Sequence, residues 1–183
     1  VFRCILIEPP PFSSSILLLT TTIKWCCAIF RSIGQLFQLY ARVESAPVNA
    51  ADIATGSVAD LACLDEHDSV VLAVEVKDRE LLLRHVQDKL PALRERGVRE
   101  LLFVITSGAA AADAESIEDT IDREFVTDQN VYVTSFQQFL RACLVLFRES
   151  GRRHFLVQVG ESIDEIRADL THRQAWRALL EQL

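Results

Sequence analysis

The 183-residue sequence predicts an α/β fold, a mixed central β-sheet flanked by helices, and three features carry that prediction. Two short unbroken apolar runs, Val70-Val71-Leu72-Ala73-Val74 and Leu101-Leu102-Phe103-Val104-Ile105, read as strands buried on both faces. Several stretches place apolar residues at three- and four-residue steps, the period of a helix with one face turned to a core. A polar turn, Asp65-Glu66-His67-Asp68, joins the first run to an alternating segment before it and so forms a hairpin.

The elements follow in order. Pro9-Pro10-Pro11 and Ser13-Ser14-Ser15 make a linker-like stretch, and Ile16-Leu17-Leu18-Leu19 follows with no polar face. Residues 1–22 are therefore expected to be an atypical leader, poorly packed or dispensable. From Lys24 a helical stripe runs through Cys26, Phe30, Ile33, Phe37 and Tyr40, and the helix is expected to end near Val43-Glu44, before Pro47. Asn49 to Gly56 is loop. Val58 to Leu64 and Ser69 to Lys77 are the two strands of the hairpin. Leu81 to Arg96 is helical through Leu82, Val86, Leu90 and Leu93, with Pro91 kinking or interrupting it and Gly97 stopping it. Leu101 to Ile105 is a third strand. Ala109 to Phe125 is a helix with Ile117, Ile121 and Phe125 on one face. Val131-Tyr132-Val133 is a short strand, and Thr134 caps a helix running to about Glu149. A last helix, Ile163 to Leu183, follows Gly160 with Ser162 at its N-cap. Strands and helices in this order make an α/β sandwich.

Composition narrows the function classes. Half the residues are hydrophobic and 25% are charged, ordinary for a soluble globular chain. The net charge of −7 gives no general attraction for nucleic acid, although a local arginine groove is compatible with a negative total. The five cysteines, Cys4, Cys26, Cys27, Cys63 and Cys143, form no CxxC pair and no zinc spacing. Scattered through apolar segments, they read as buried thiols in a reducing compartment, and the expected localisation is cytoplasmic. No apolar stretch reaches the length of a transmembrane helix.

The chemistry concentrates around the hairpin. The chain has three lysines, Lys24, Lys77 and Lys89, and Lys77 stands two residues after Glu75 at the end of the strongest strand. Residues near 60 and 75 come opposite one another across an antiparallel ladder closed by a four-residue turn. Glu75 and Lys77, two apart, share a face, while Val76 points the other way. Hydrolysis of a phosphodiester calls for a divalent ion. Magnesium accepts one or two carboxylates and keeps several waters, so Asp60 and Glu75 suffice as its ligands. Lys77 beside them is placed to orient the attacking water or to stabilise charge in the transition state. An acid-x-Lys triplet alone is common at the polar end of a strand. Asp60 across the hairpin and the helix that follows give this one more weight.

Asp60, then Glu75-Val76-Lys77 on the next strand, then a helix, resembles the core of the PD-(D/E)xK nucleases, with Ala59 where the first motif has proline. More specifically, Arg42-Val43-Glu44-Ser45, Pro47-Val48-Asn49, Ala59-Asp60-Leu61 and Val74-Glu75-Val76-Lys77-Asp78-Arg79 resemble the SacI-type restriction endonucleases. Gly97-Val98 with Leu101-Leu102-Phe103, and Asn130-Val131-Tyr132-Val133-Thr134, fit the same pattern. The resemblance runs from about Ile33 to the end. It implies that the chain is the C-terminal catalytic portion of such an enzyme, with 23–183 as the nuclease-like domain. It also implies a magnesium cofactor, double-stranded DNA as substrate, and a possible homodimer matching a palindromic site. Two alternatives stay open: a repair or resolvase-like nuclease that reads DNA shape, and a catalytically silent remnant acting as a DNA-binding module.

Other residues have two readings each. Glu44 is either an auxiliary metal-contacting acid or a solvated helix-end glutamate. Gln87 either touches the scissile phosphate or lies on the surface, and His85 is a polar-face residue or a catalytic one. Asn49 and Asp52 hold the site or read a base edge, or simply form turns. Arg79, Arg84, Arg94, Arg96 and Arg99 grip phosphates or form a solvated face, and Arg152-Arg153-His154 is a second basic spot.

Overall fold

The computed structural model describes residues 15–46 and 58–165, with side chains described for 22–46 and 58–162. The elements are α1 (Ser15–Phe37), β1 (Arg42–Ser45), β2 (Leu61–Leu64), β3 (Val70–Lys77), α2 (Leu83–Glu95), β4 (Glu100–Ile105), α3 (Ala114–Val126), β5 (Asn130–Ser135) and α4 (Phe136–Glu165). The five strands form one mixed sheet in the order β1-β2-β3-β4-β5. β1-β2 and β2-β3 are antiparallel, whereas β3-β4 and β4-β5 are parallel. Each parallel pair is joined by a crossover helix, α2 or α3, as parallel pairing requires. The predicted α/β class with a mixed sheet between helices is the observed architecture.

The two faces of the sheet bury different helices. Ala62, Ala73, Leu101, Phe103 and Val131 pack with Val86, Leu90 and Leu93 of α2 and Ile117 of α3. On the other face Leu61, Cys63, Val74, Val76 and Val104 pack against Ile23, Cys26, Cys27 and Phe30 of α1. α1 in turn carries α4 on its outer side, through Ala28 and Ile29 against Leu140, Cys143, Phe147, Phe155 and Val159. α1 is thus sandwiched between sheet and helix, which explains why its stripe is broader than a one-sided surface helix needs.

Several boundaries differ from the sequence reading, each for a local reason. α1 begins at Ser15, inside the stretch set apart as a leader, and ends at Phe37, six or seven residues before the expected stop. Gln38 takes a left-handed backbone, φ 55°, and the chain doubles back. Tyr40 then lies over Gly34 and donates its hydroxyl to the Phe30 carbonyl at 2.6 Å. A Cβ at Gly34 would stand 2.8 Å from the Tyr40 ring, so this close approach needs glycine. Arg42-Val43-Glu44-Ser45 forms edge strand β1 instead of the end of a helix.

α2 continues across Pro91 without interruption and ends in a Schellman turn. Gly97, φ 68°, donates to Arg94 and Val98 to Leu93, which closes the last turn as the sequence predicted. α3 starts at Ala114, later than Ala109, and Phe125 is 70% exposed, so it does not belong to the buried face. The cap of α4 is Ser135, one residue after Thr134, with its hydroxyl accepting from the Gln138 N–H at 3.2 Å. α4 breaks at Arg148, φ 56°, and continues helical through Gly160 and Ser162, where a new helix start was expected; Ser162 is buried within it. The residues beyond 165 in that expected last helix lie outside the described ones.

Candidate active site

β3 is the central strand on which the site is built. Its Val74 and Val76 are buried toward α1, and burying each contributes about 1.5–3 kcal/mol. That anchorage fixes Glu75 and Lys77 on the opposite face, toward α2. The alternation Val-Glu-Val-Lys is the local cause.

Glu75 is 1% exposed. Its Oε2 accepts a hydrogen bond from Lys77 Nζ at 2.8 Å. Its Oε1 lies 2.5 Å from Lys89 Nζ, an ion pair, but the two are not aligned as a hydrogen bond and Oε1 has no hydrogen-bond donor. A carboxylate this deeply buried requires such compensation, since an unpaired charge in a protein interior costs several kcal/mol.

Asp60 stands just before β2. The register Leu61↔Val74, carried one step back, sets Asp60 opposite Glu75. Its Oδ2 accepts the Val76 N–H at 2.8 Å, in the place where a β2 carbonyl would otherwise continue the ladder. Burial first, and then the Glu75 charge, push the Asp60 carboxyl up to about 6, against the pull of the Val76 N–H, Lys77 and Lys89. The hairpin that sets this register is tied by Asp65, whose Oδ1 accepts the backbone N–H groups of His67 at 2.8 Å and Ser69 at 2.9 Å. Those two bonds hold the Asp65 carboxyl below its usual range.

His85 caps the start of α2 by accepting the Leu82 N–H on Nδ1 at 3.1 Å. Its burial, then Lys77, Arg84 and Arg79, hold its imidazole below the usual value, so it borders the same positive neighbourhood. A separate cleft of about 320 Å³, lined among others by Arg31, Gly34, Tyr40, Arg42 and Gln158, opens on the α1 side and includes none of these residues.

Asp60, Glu75 and Lys77 are therefore brought together. Glu44 is not joined to them: it sits on β1 opposite Ala62, two positions along from Asp60, and its exposed carboxylate pairs with Arg42 at 3.1 Å. Gln87 is exposed, and its place on α2 is about 200° around the helix from Lys89, so it turns away from Glu75. Arg79, paired with Asp78 at 3.4 Å, and Arg84 are exposed at the α2 start, on the side of the site. Arg94 pairs with Glu124 and Arg99 with Asp128 at the other end of α2, so the arginines divide into two groups instead of one grip. Arg152 donates to the Leu144 carbonyl at 2.9 Å and serves the α4 break. Asn49 and Asp52 lie outside the described residues. Cys26, Cys27, Cys63 and Cys143 are buried and in no disulfide, as the sequence suggested, and Cys4 lies outside the described residues.

Sequence reasoning missed Lys89. Its signal was present: of three lysines in the chain, it stands next to Leu90 on the buried stripe of α2, where a lysine is out of place unless paired.

The donor set fits a hard divalent cation. The two carboxyl groups come from neighbouring strands, one with an oxygen lacking a hydrogen bond and the other made harder to ionise by burial first and then by the Glu75 charge. Magnesium needs no more than one or two such ligands. Among the described residues no group of three or more His, Cys, Asp or Glu side chains is placed to hold a metal, so a pair is what those residues offer. Among the described residues, too, no helix is long and apolar enough to cross a membrane.

Residues 21–109 match the family model of the SacI restriction endonuclease C-terminal domain. The matched stretch contains the hairpin, β3 and α2, hence Glu44, Asp60, Glu75, Lys77 and Lys89, and over those residues it bears out the resemblance to the SacI-type restriction endonucleases; Asn130 to Thr134 lie beyond the match. The family is one of nucleases acting on DNA. No curated protein matches the chain.

Proposed function

We propose, taking the SacI-type restriction endonuclease domain as the premise, that the protein is a magnesium-dependent endodeoxyribonuclease of type II restriction character. The observation that carries this reading is the buried Glu75, held by Lys77 with Asp60 facing it across the hairpin. Asp60 and Glu75 would hold the ion, which when bound neutralises phosphate charge and lowers the pKa of a water.

The chain's own residues divide the remaining work. Asp60 is fixed by the Val76 N–H, so its carboxylate arrives already oriented. Lys77, 25% exposed and two residues from Glu75, reaches from the interior to the rim, where its ammonium can orient the attacking water and stabilise charge developing on the phosphate. Arg79 and Arg84, exposed at the start of α2, are placed to contact the DNA backbone. A homodimer would present two such sites to a palindrome. Glu44, on an exposed edge strand and bound to Arg42, is left with the role of an outlying acid.

The test is cleavage of plasmid DNA at low salt with magnesium, and binding in calcium titrated across salt concentrations. Lys77→Ala is expected to lower the cleavage rate by about 10²–10³-fold with DNA affinity nearly unchanged, because the lysine acts in the transition state. Asp60→Asn is expected to abolish metal-dependent cutting. Unchanged rates in both variants would remove this site from the reaction. With the net charge of −7, binding should weaken steeply as salt rises.

A further inference from the structure

Glu75 is the meeting point of two lysines, and the nuclease reading uses only one. Lys89 Nζ lies closer to Glu75, 2.5 Å from Oε1, than Lys77 Nζ does at 2.8 Å from Oε2. It is also the more enclosed, with its side chain 17% exposed against 25% for Lys77. On α2 its charged companions Arg84, Asp88, Arg94 and Glu95 are all exposed, so Lys89 is the charged residue of that helix turned toward the sheet. Val86, Leu90 and Leu93, buried around it, fix the helix against the sheet and so set where the lysine stem begins.

The contact has an unusual character. The oxygen that Lys89 faces is buried and receives no hydrogen bond, although the ammonium is within ion-pair distance. Charge is neutralised there, but directional bonding is not. An oxygen in that condition gives up its cation more readily than one held by an aligned hydrogen bond, as Oε2 is by Lys77. Glu75 thus has a lysine at each of its two oxygens. A divalent cation placed beside Oε1 would bring excess positive charge against Lys89.

We infer that Lys89 is the built-in counter-cation of the metal position: it occupies the Oε1 side of Glu75 in the empty site and is displaced when a divalent cation binds. This rests on the nuclease reading of Asp60 and Glu75. The arrangement keeps Glu75 buried without metal, and it opposes metal entry. Lys77, bonded to the other oxygen, stays in place throughout.

Calcium binding, measured by calorimetry on the full chain without DNA, tests this apart from cleavage. Lys89→Met keeps the apolar stem and removes the charge, and is expected to bind calcium at least about tenfold more tightly than the unaltered protein. Lys89→Arg, which keeps the charge, should stay near the original affinity, and Asp60→Asn should lose binding. Thermal unfolding gives a second reading: Lys89→Met should melt lower than the unaltered protein without calcium and gain more from its addition. If Lys89→Met does not fold, Lys89→Gln is measured in its place with the same expectation. Equal or weaker calcium binding in the neutral variant, with Asp60→Asn still abolishing it, overturns the counter-cation role and leaves the metal position standing. Absent calcium binding in the unaltered protein, or binding that Asp60→Asn does not change, overturns both.

Discussion

The two faces of β3 are made from neighbouring residues of one strand, yet they follow opposite rules. Toward α1, Val74 and Val76 meet Leu61, Cys63, Val104 and the α1 residues Cys26, Cys27 and Phe30, a cluster of apolar side chains and thiols. Toward α2, the equally buried Glu75 meets Lys77 and Lys89. The apolar face supplies the energy that fixes the strand. The other can then hold a charge cluster that would not fold alone, because burying ion pairs stabilises little in itself. A polar site deep in a sheet is tolerated where the reverse face of the same strand is uniformly apolar.

The sharpest way to break this comparison is to exchange the rules. Val74→Asp puts an unpaired carboxylate among thiols and Phe30, and is expected to cost more than about 4 kcal/mol, read as failure to fold or a greatly lowered urea midpoint. Glu75→Gln is expected to cost only about 1–3 kcal/mol, since Lys77 and Lys89 are partly exposed and can shift toward water, while cleavage disappears. Similar losses for the two variants would show that the faces are not distinct.

A smaller change on the α1 side probes how closely it is fitted. Gly34→Ala drives a methyl to 2.8 Å from the Tyr40 ring, and Tyr40 is held by its 2.6 Å bond to Phe30. The expected loss is about 1–3 kcal/mol, seen as a lowered melting temperature with unchanged activity per folded molecule. An unaltered melting temperature would mean the ring yields freely.

The smallest effect is in the pH dependence of the thiols. Burial pushes Cys63 up to about 12 and Cys143 up to about 11, from an ordinary value near 9. The folded state thus keeps protons that the unfolded state loses, and this contribution to stability is whole below pH 9 and is lost as pH rises toward 11–12. Denaturant midpoints should fall through that window, and thiol reagents should modify Cys63 and Cys143 only after unfolding. Rapid labelling of the native protein at pH 8 would contradict the closed α1 side.

How much of this was readable depended on whether the cause was local. Strands β3 and β4, the Asp65 turn and the Gly97 stop were legible because run length, side-chain spacing and turn chemistry act within a few residues. Strand β1 was not. Four residues with one half-buried side chain show no period, and Arg42–Ser45 is a strand only because β2 offers it a free edge. Phe125 and Ile121 share helical spacing, but only Ile121 packs against the core and Phe125 is left in water.

The sequence by itself determined the class of fold, the pairing of Asp60 with Glu75 and the common face of Glu75 and Lys77, because alternation along a strand and a short turn leave few ways to place them. Tertiary structure alone decided that Glu44 stands apart beside Arg42 and that Gln87 faces away. It also decided that Lys89, fourteen residues downstream of Glu75, closes on that carboxylate. The physical reason is that a helix packed across a sheet sets its distances by the rotation and position of the whole element, which the apolar stripe of α2 fixes and no short motif records.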